Sequence, residues 1–273
     1  PYTLEKSFKI LQSGERQTLK KNLLASYIPG TDRAMLSIGV IPSFSNRAMV
    51  DKLMRYPYRC LEQTTSRGMG FLFGTGEYPS MGSVNNFPED LKLEIQKAIS
   101  RLSTLQRRDG SFGLWSSTDS SEEWLSVYAT DFLMRAKEAG FGVPQHLTRS
   151  AISWLRSNVR GGRHHDEQKI SSIAYSHYVL ARADQADIGK IRYFFDNHKD
   201  DFPSMIENAF MISALDAYGD ITRSKMAREA LIFWTKNAFK SNENRYDHYS
   251  SPIREIAATL HLAAESGMQN ERL

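Results

Sequence analysis

Cys60 and Gln63 are spaced so that their side chains can react with each other. They lie in YPYRCLEQTTSRGMG, residues 56–70, and Cys60 is the one cysteine among 273 residues. Pro57 disfavours helix at the residue before it, so Tyr56 to Tyr58 reads as an extended lead-in and a helix can begin at about Arg59 or Cys60. Side chains three apart on a helix are neighbours, with Cβ atoms about 5 to 6 Å apart. The thiol can therefore reach the carboxamide carbon of Gln63, and the helix N-terminus presents N–H groups and a positive dipole end to the sulfur. Loss of ammonia would join the acyl group of Gln63 to the sulfur of Cys60 as an internal thioester. Without that reaction, a lone buried cysteine is a small, inert hydrophobe.

The elements that must hold this pair are helical. From Asn46 onward apolar residues recur at three- and four-residue spacing, in segments at 47–55, 60–73, 88–106, 121–139, 145–159, 167–183, 185–197, 203–217, 221–239 and 252–265. The joints are short and rich in Gly, Pro, Asn and Asp, which predicts antiparallel hairpins. Repeated hairpins make a solenoid or a closed toroid, and periodicity alone does not choose between them. Residues 1–44 read differently, as strand and linker. SFKIL and AMLSIGVIP alternate or run apolar between the turn signals SGE and PGTD.

CLEQ after an aromatic YPY, with TTS following, resembles the thioester segment of the alpha-2-macroglobulin and complement family in its bacterial form. Cys60, Glu62 and Gln63 match residue for residue. Animal members carry Gly where this chain has Leu61, and bacterial ones often have Gly where it has Arg59. QRRDGSFGLW, residues 106–115, is similar to the Gln, Asp-Gly, aromatic turn of α/α toroids, a fold shared with terpene cyclases and protein prenyltransferases. There Asp109-Gly110 would make the turn, with Phe112 and Trp115 packing the loop onto the next hairpin. The resemblance implies a mainly α fold, an α/α toroid of helical hairpins with a short N-terminal β segment. Residues 1–44 would belong to an adjoining β domain and 45–273 would form the thioester-containing toroid. The chain starts at Pro1 and supplies about five hairpins, so it is expected to be a piece of a longer protein that lacks the last helices of a full toroid.

What the resemblance implies for function is a covalent trap, a protease inhibitor and not an enzyme. Cleavage of a bait elsewhere in the parent would unshield the thioester, and a lysine amine of the attacking protease would take the acyl group of Gln63, once per molecule. Tyr56, Pro57, Tyr58 and Met69 would keep water off the bond. Some family members add a histidine that takes the acyl group first; here His164, His165 and His177 are the candidates. Glu62 is expected to be a first-turn dipole partner or ion-pair residue. Expected partners are target proteases and adjoining domains of the parent, in the periplasm, with a lipid anchor as the conceivable membrane attachment. No cofactor is expected beyond the internal cross-link.

Other classes find little support. The formal net charge is +4, but Lys and Arg interleave with Asp and Glu in EDLKLEIQK and RSKMAREA, with no basic stripe for nucleic acid. No apolar run reaches the length of about 18 residues that a membrane span needs. Adjacent histidines in HHDE rarely face one ion and no HExxH occurs, so no metal is expected. Alternatives are an α/α-toroid enzyme acting on isoprenoids or glycans, or a purely structural helical scaffold. The acidic runs DQAD and DDFP fit neither DxDD nor DDxxD.

Overall fold

The computed structural model describes residues 58–74, 89–160, 166–237 and 251–266, with 53, 54 and scattered positions between 7 and 30. Its contacts divide the chain into two units, Pro1–Ser45 and Asn46–Leu273. In the first, the expected SGE turn is present. Gly14 adopts φ 84°, Glu15 N–H donates to the Gln12 carbonyl at 3.0 Å, and Lys9 pairs with Glu15 at 2.7 Å. Ser7 and residues 9–11 take no regular structure, and 34–42 lie outside the described residues.

In the second unit the described helices are α1 (Leu61–Gly74), α2 (Glu89–Leu105), α3 (Glu123–Glu138), α4 (Gln145–Asn158), α5 (Glu167–Arg182), α6 (Ile188–His198), α7 (Met205–Ala217), α8 (Ile221–Asn237) and α9 (Pro252–Glu265), with a 3-10 turn at Lys199–Asp201. Local chemistry sets their ends. Asp166, Asp187, Ser204 and Ser251 precede α5, α6, α7 and α9, and each side chain accepts a first-turn N–H. Ser204 and Glu207 complete a reciprocal capping box. Gly140 and Gly219, at φ 91° and 71°, turn the chain out of α3 and α7. Of the helix expected over 47–55, only Leu53 and Met54 fall among the described residues, and both are helical.

Burial sorts these helices into two layers. α5 is buried continuously from Ser172 to Ala181, whereas α2 buries one stripe, Leu91, Ile95, Ala98, Ile99, Leu102 and Leu105, at helical spacing. Packing follows the same division. α1, α3, α5, α7 and α9 pack in succession; α2 lies on α1 and α3, α4 on α3 and α5, and α6 and α8 on α7. Phe73 of α1 meets His261 of α9 edge-to-face with centroids 5.4 Å apart, which brings the two ends of the inner series together. An inner ring wrapped by an outer one is the α/α toroid that the family resemblance implied and the hairpin pattern alone left open. None of the described helices is long and apolar enough to cross a membrane.

The loop at 106–115 ties the layers together. Gln106 and Phe112 form an antiparallel bridge, and Gln106 Nε2 donates to the Leu147 carbonyl of α4 at 2.9 Å. Asp109 accepts from the Ser111 N–H and hydroxyl at 3.0 and 2.6 Å. Phe112 is fully buried, as expected, but Trp115 is 54% exposed and does not pack the loop down. Its backbone serves instead: the N–H donates to Asp119 Oδ2 at 2.7 Å and the carbonyl accepts from Arg101 Nη2 at 2.9 Å. Gly110 has φ 94°, and a Cβ there would lie 2.1 Å from the Ser150 carbonyl oxygen. Gly110→Ala is therefore expected to cost about 2 to 5 kcal/mol, the left-handed penalty plus overpacking against backbone, measurable by urea unfolding.

Candidate functional site

The loop and α1 meet at Cys60. Thr64 N–H donates to the Cys60 carbonyl at 2.9 Å, the first bond of the helix, so Cys60 is its N-cap and α1 proper begins at Leu61. The Leu61 N–H would be orphaned in such a helix, and it donates to the Leu114 carbonyl at 2.8 Å. Arg101 of α2 then clamps both segments, donating through Nε to the Arg59 carbonyl at 3.2 Å and through Nη2 to that of Trp115. On the far side of the helix, Leu61 is fully buried and Gly68 lets the Phe132 ring of α3 approach to where a Cβ would sit, 2.5 Å away. The start of α1 is thus fixed by backbone hydrogen bonds in front and by close packing behind.

Cys60 has no second cysteine in the chain to pair with and is 6% exposed. It lines a depression of about 680 Å³ with Glu62 and Ser66 of α1, Leu114 of the loop, Trp124 and Tyr128 of α3, and Arg254 of α9. The Arg254 guanidinium stacks 4.3 Å over the Trp124 ring. Ser66 Oγ donates to Glu62 Oε1 at 2.7 Å, and burial pushes up the pKa of the Tyr128 hydroxyl. Gln63 Oε1 is buried and has no hydrogen-bond donor among the described residues. Leaving an amide oxygen in that state costs about 1 to 3 kcal/mol, and Asn208 Oδ1 is a second buried amide oxygen without a donor among the described residues.

A family model for the A-macroglobulin TED domain matches residues 35–179, more than half of the chain. The chain belongs to this family. Among curated relatives of this TED domain is alpha-2-macroglobulin of Escherichia coli K12, 31% identical over 266 residues, which cover 94% of this chain and 16% of that protein. Alpha-2-macroglobulin of Xylella fastidiosa Temecula1 is 28% identical over 90% of this chain and 15% of its own length. The chain thus spans about one sixth of these relatives. Among solved structures, native Escherichia coli alpha-2-macroglobulin superposes with a TM-score of 0.70 at 28% identity, covering 81% of this chain and 14% of that one. Salmonella alpha-2-macroglobulin reacted with methylamine gives 0.71 at 28% identity, covering 84% and 15%. Trypsin-activated Escherichia coli alpha-2-macroglobulin gives 0.66 at 29% identity, covering 78% and 15%.

The other residues singled out in the sequence of this TED domain fall into three groups. Tyr58 is 60% exposed beside the buried thiol, while Met69 is buried in the core that α1 shares with α2 and α3, away from the residues lining the depression. Tyr56, Pro57, His164 and His165 lie outside the described residues. His177 is not brought to Cys60. It sits 1% exposed on α5, its ring 5.3 Å from that of Phe194 on α6, and burial drives its pKa down to about 3. Glu62 lines the same depression as Cys60 and bonds Ser66, a placement the dipole or ion-pair expectation did not include. Sequence reasoning also missed Ser66, Trp124, Tyr128 and Arg254. The i, i+4 spacing of Glu62 and Ser66 is a readable signal; the contributions of α3 and α9 come only from closure of the inner ring.

Proposed function

We propose that this TED domain stores a thioester between Cys60 and Gln63 and spends it once, on a protease that has cleaved a bait segment elsewhere in its parent protein. The supporting observation is the Gln63 carboxamide oxygen, buried with no donor among the described residues and three residues along from the buried Cys60. A thioester carbonyl is a weaker acceptor than an amide carbonyl, so conversion to the acyl form relieves part of the burial penalty. Burial also keeps water from the bond until the neighbouring domains move. The nucleophile is then a primary amine, typically a lysine of the captured protease. Its nitrogen bonds to the acyl carbon of Gln63, the carbon–sulfur bond breaks, and Cys60 is left as a thiol.

The relatives fit this reading, since one solved structure is of a methylamine-reacted alpha-2-macroglobulin and another of a trypsin-activated one. By the same likeness we place the parent in the periplasm, as a protease inhibitor with proteases and its own adjoining domains as partners. Intact mass spectrometry of the full-length parent, purified without amines, is the test. A mass about 17 Da below that of the sequence, the ammonia lost, is expected, with methylamine adding its own mass and exposing one titratable thiol. A full mass with a free thiol and no methylamine uptake overturns the proposal and leaves a helical scaffold.

A further inference from the structure

We propose that Glu62 is the proton acceptor for the amine that opens the thioester, held in place by Ser66. This inference rests on the thioester reading. Three observations carry it. The Glu62 side chain lines the same depression as Cys60, whose sulfur would carry the acyl group of Gln63, so the sulfur side of the thioester faces a space that also holds a carboxylate. Ser66 Oγ donates to Glu62 Oε1 at 2.7 Å, which fixes one oxygen and leaves Oε2 for an incoming group. The other titratable and charged groups lining this space are Tyr128 of α3 and Arg254 of α9, the latter stacked on Trp124.

A neutral primary amine becomes cationic as it attacks and must lose one proton for the amide to form. The step balances within the site. The nitrogen–carbon bond forms, the N–H proton passes to the Glu62 carboxylate, the carbon–sulfur bond breaks with its electron pair on sulfur, and the carboxyl group returns the proton to Cys60. The products are an amide at Gln63, a thiol at Cys60 and a regenerated carboxylate. A histidine is not required for this route, and the structure does not bring His177 to the thiol.

The experiment uses the full-length parent carrying an intact thioester. Wild type and Glu62→Gln are reacted with methylamine across pH, following release of the Cys60 thiol, and with 2-mercaptoethanol, whose thiolate has no proton to hand over. The variant is expected to react with methylamine about 100-fold more slowly per unit of free amine, within the usual range for positioned acid–base groups. Thiol exchange is expected to be unchanged. Equal methylamine rates overturn the proposal, as does equal slowing toward amine and thiolate, which would make Glu62 a shaping residue only. If Glu62→Gln lacks the ammonia mass deficit, Ser66→Ala decides instead. It keeps the carboxylate untethered and is expected to slow aminolysis about tenfold with thiol exchange intact; wild-type aminolysis there overturns the proposal. Absence of the mass deficit in wild type sinks the thioester reading, a different outcome.

Discussion

Cys60→Ala in the full-length parent is expected to abolish covalent complexes with challenging proteases completely, seen as loss of the high-mass conjugate band on denaturing gels. No partial activity is expected, because Cys60 is the one cysteine of this chain and no second thiol in it lies within a turn of Gln63. Stability should barely change. The lost atom is a single sulfur at an N-cap 6% exposed, and the contacts that fix the start of α1 are backbone ones: Leu61 N–H to Leu114, Thr64 N–H to Cys60, and Arg101 to Arg59 and Trp115. All survive the substitution, so a cost of about 1 kcal/mol is expected by chemical denaturation. The contrast between total loss of capture and a small loss of stability separates a reactive cysteine from a packing one. A variant that still conjugates would refute the proposed function.

Much of this was legible in the sequence because it is local. Helix periodicity and the Asp109-Gly110 turn depend on neighbours a few residues away, and they form as expected. CLEQ was legible for the same reason, since two reacting side chains three residues apart are placed by one turn of helix. Trp115 was misread because an aromatic in a turn suggests packing, whereas here Phe112 fills the core and Trp115 contributes its backbone. The far wall of the depression was not legible. Arg254 lines the same depression as Cys60 only because α9 closes on α1 and α3, and nothing within PIREIAATLHLAAE marks an arginine that will stack on Trp124. The polar residues inside the ring were hidden likewise. Asp131 and Arg135 look like an ordinary i, i+4 surface pair until the partners from α5 and α9 arrive.

Those partners make Arg135 the position where substitution should cost the most stability. Arg135 is 2% exposed at the junction of three inner helices. Its guanidinium contacts Asp131 Oδ1 at 2.9 Å on its own helix, Tyr178 Oη at 2.6 Å on α5 and Glu265 Oε1 at 2.7 Å on α9. Tyr175 Oη donates to the second Asp131 oxygen at 2.7 Å, and Arg182 reaches Glu265 at 3.0 Å. Arg135→Met preserves much of the volume but strands the Asp131 carboxylate, 3% exposed, with a single tyrosine donor. Breaking one partner of a buried charge network typically costs about 3 to 5 kcal/mol, and that loss is expected in urea at neutral pH. Glu265 gives the effect a pH signature. Burial alone would push its carboxyl pKa up, but His261, Arg135 and Tyr178 more than reverse this and hold it well below its ordinary value of 4.5. A depressed carboxylate stabilises the fold above the unfolded-state pKa and loses that contribution as pH falls toward the folded one. The stability gap between wild type and Glu265→Gln should therefore be widest at neutral pH and narrow progressively below pH 4.5. Because Glu265 anchors the helix that carries Arg254, the same variants should also loosen the wall of the depression. Arg135→Met is accordingly expected to make the thioester of the parent hydrolyse faster at neutral pH, read as earlier release of the Cys60 thiol. Unchanged hydrolysis alongside the expected loss of stability would show that α9 keeps its seat through its remaining contacts with α7 and Trp124.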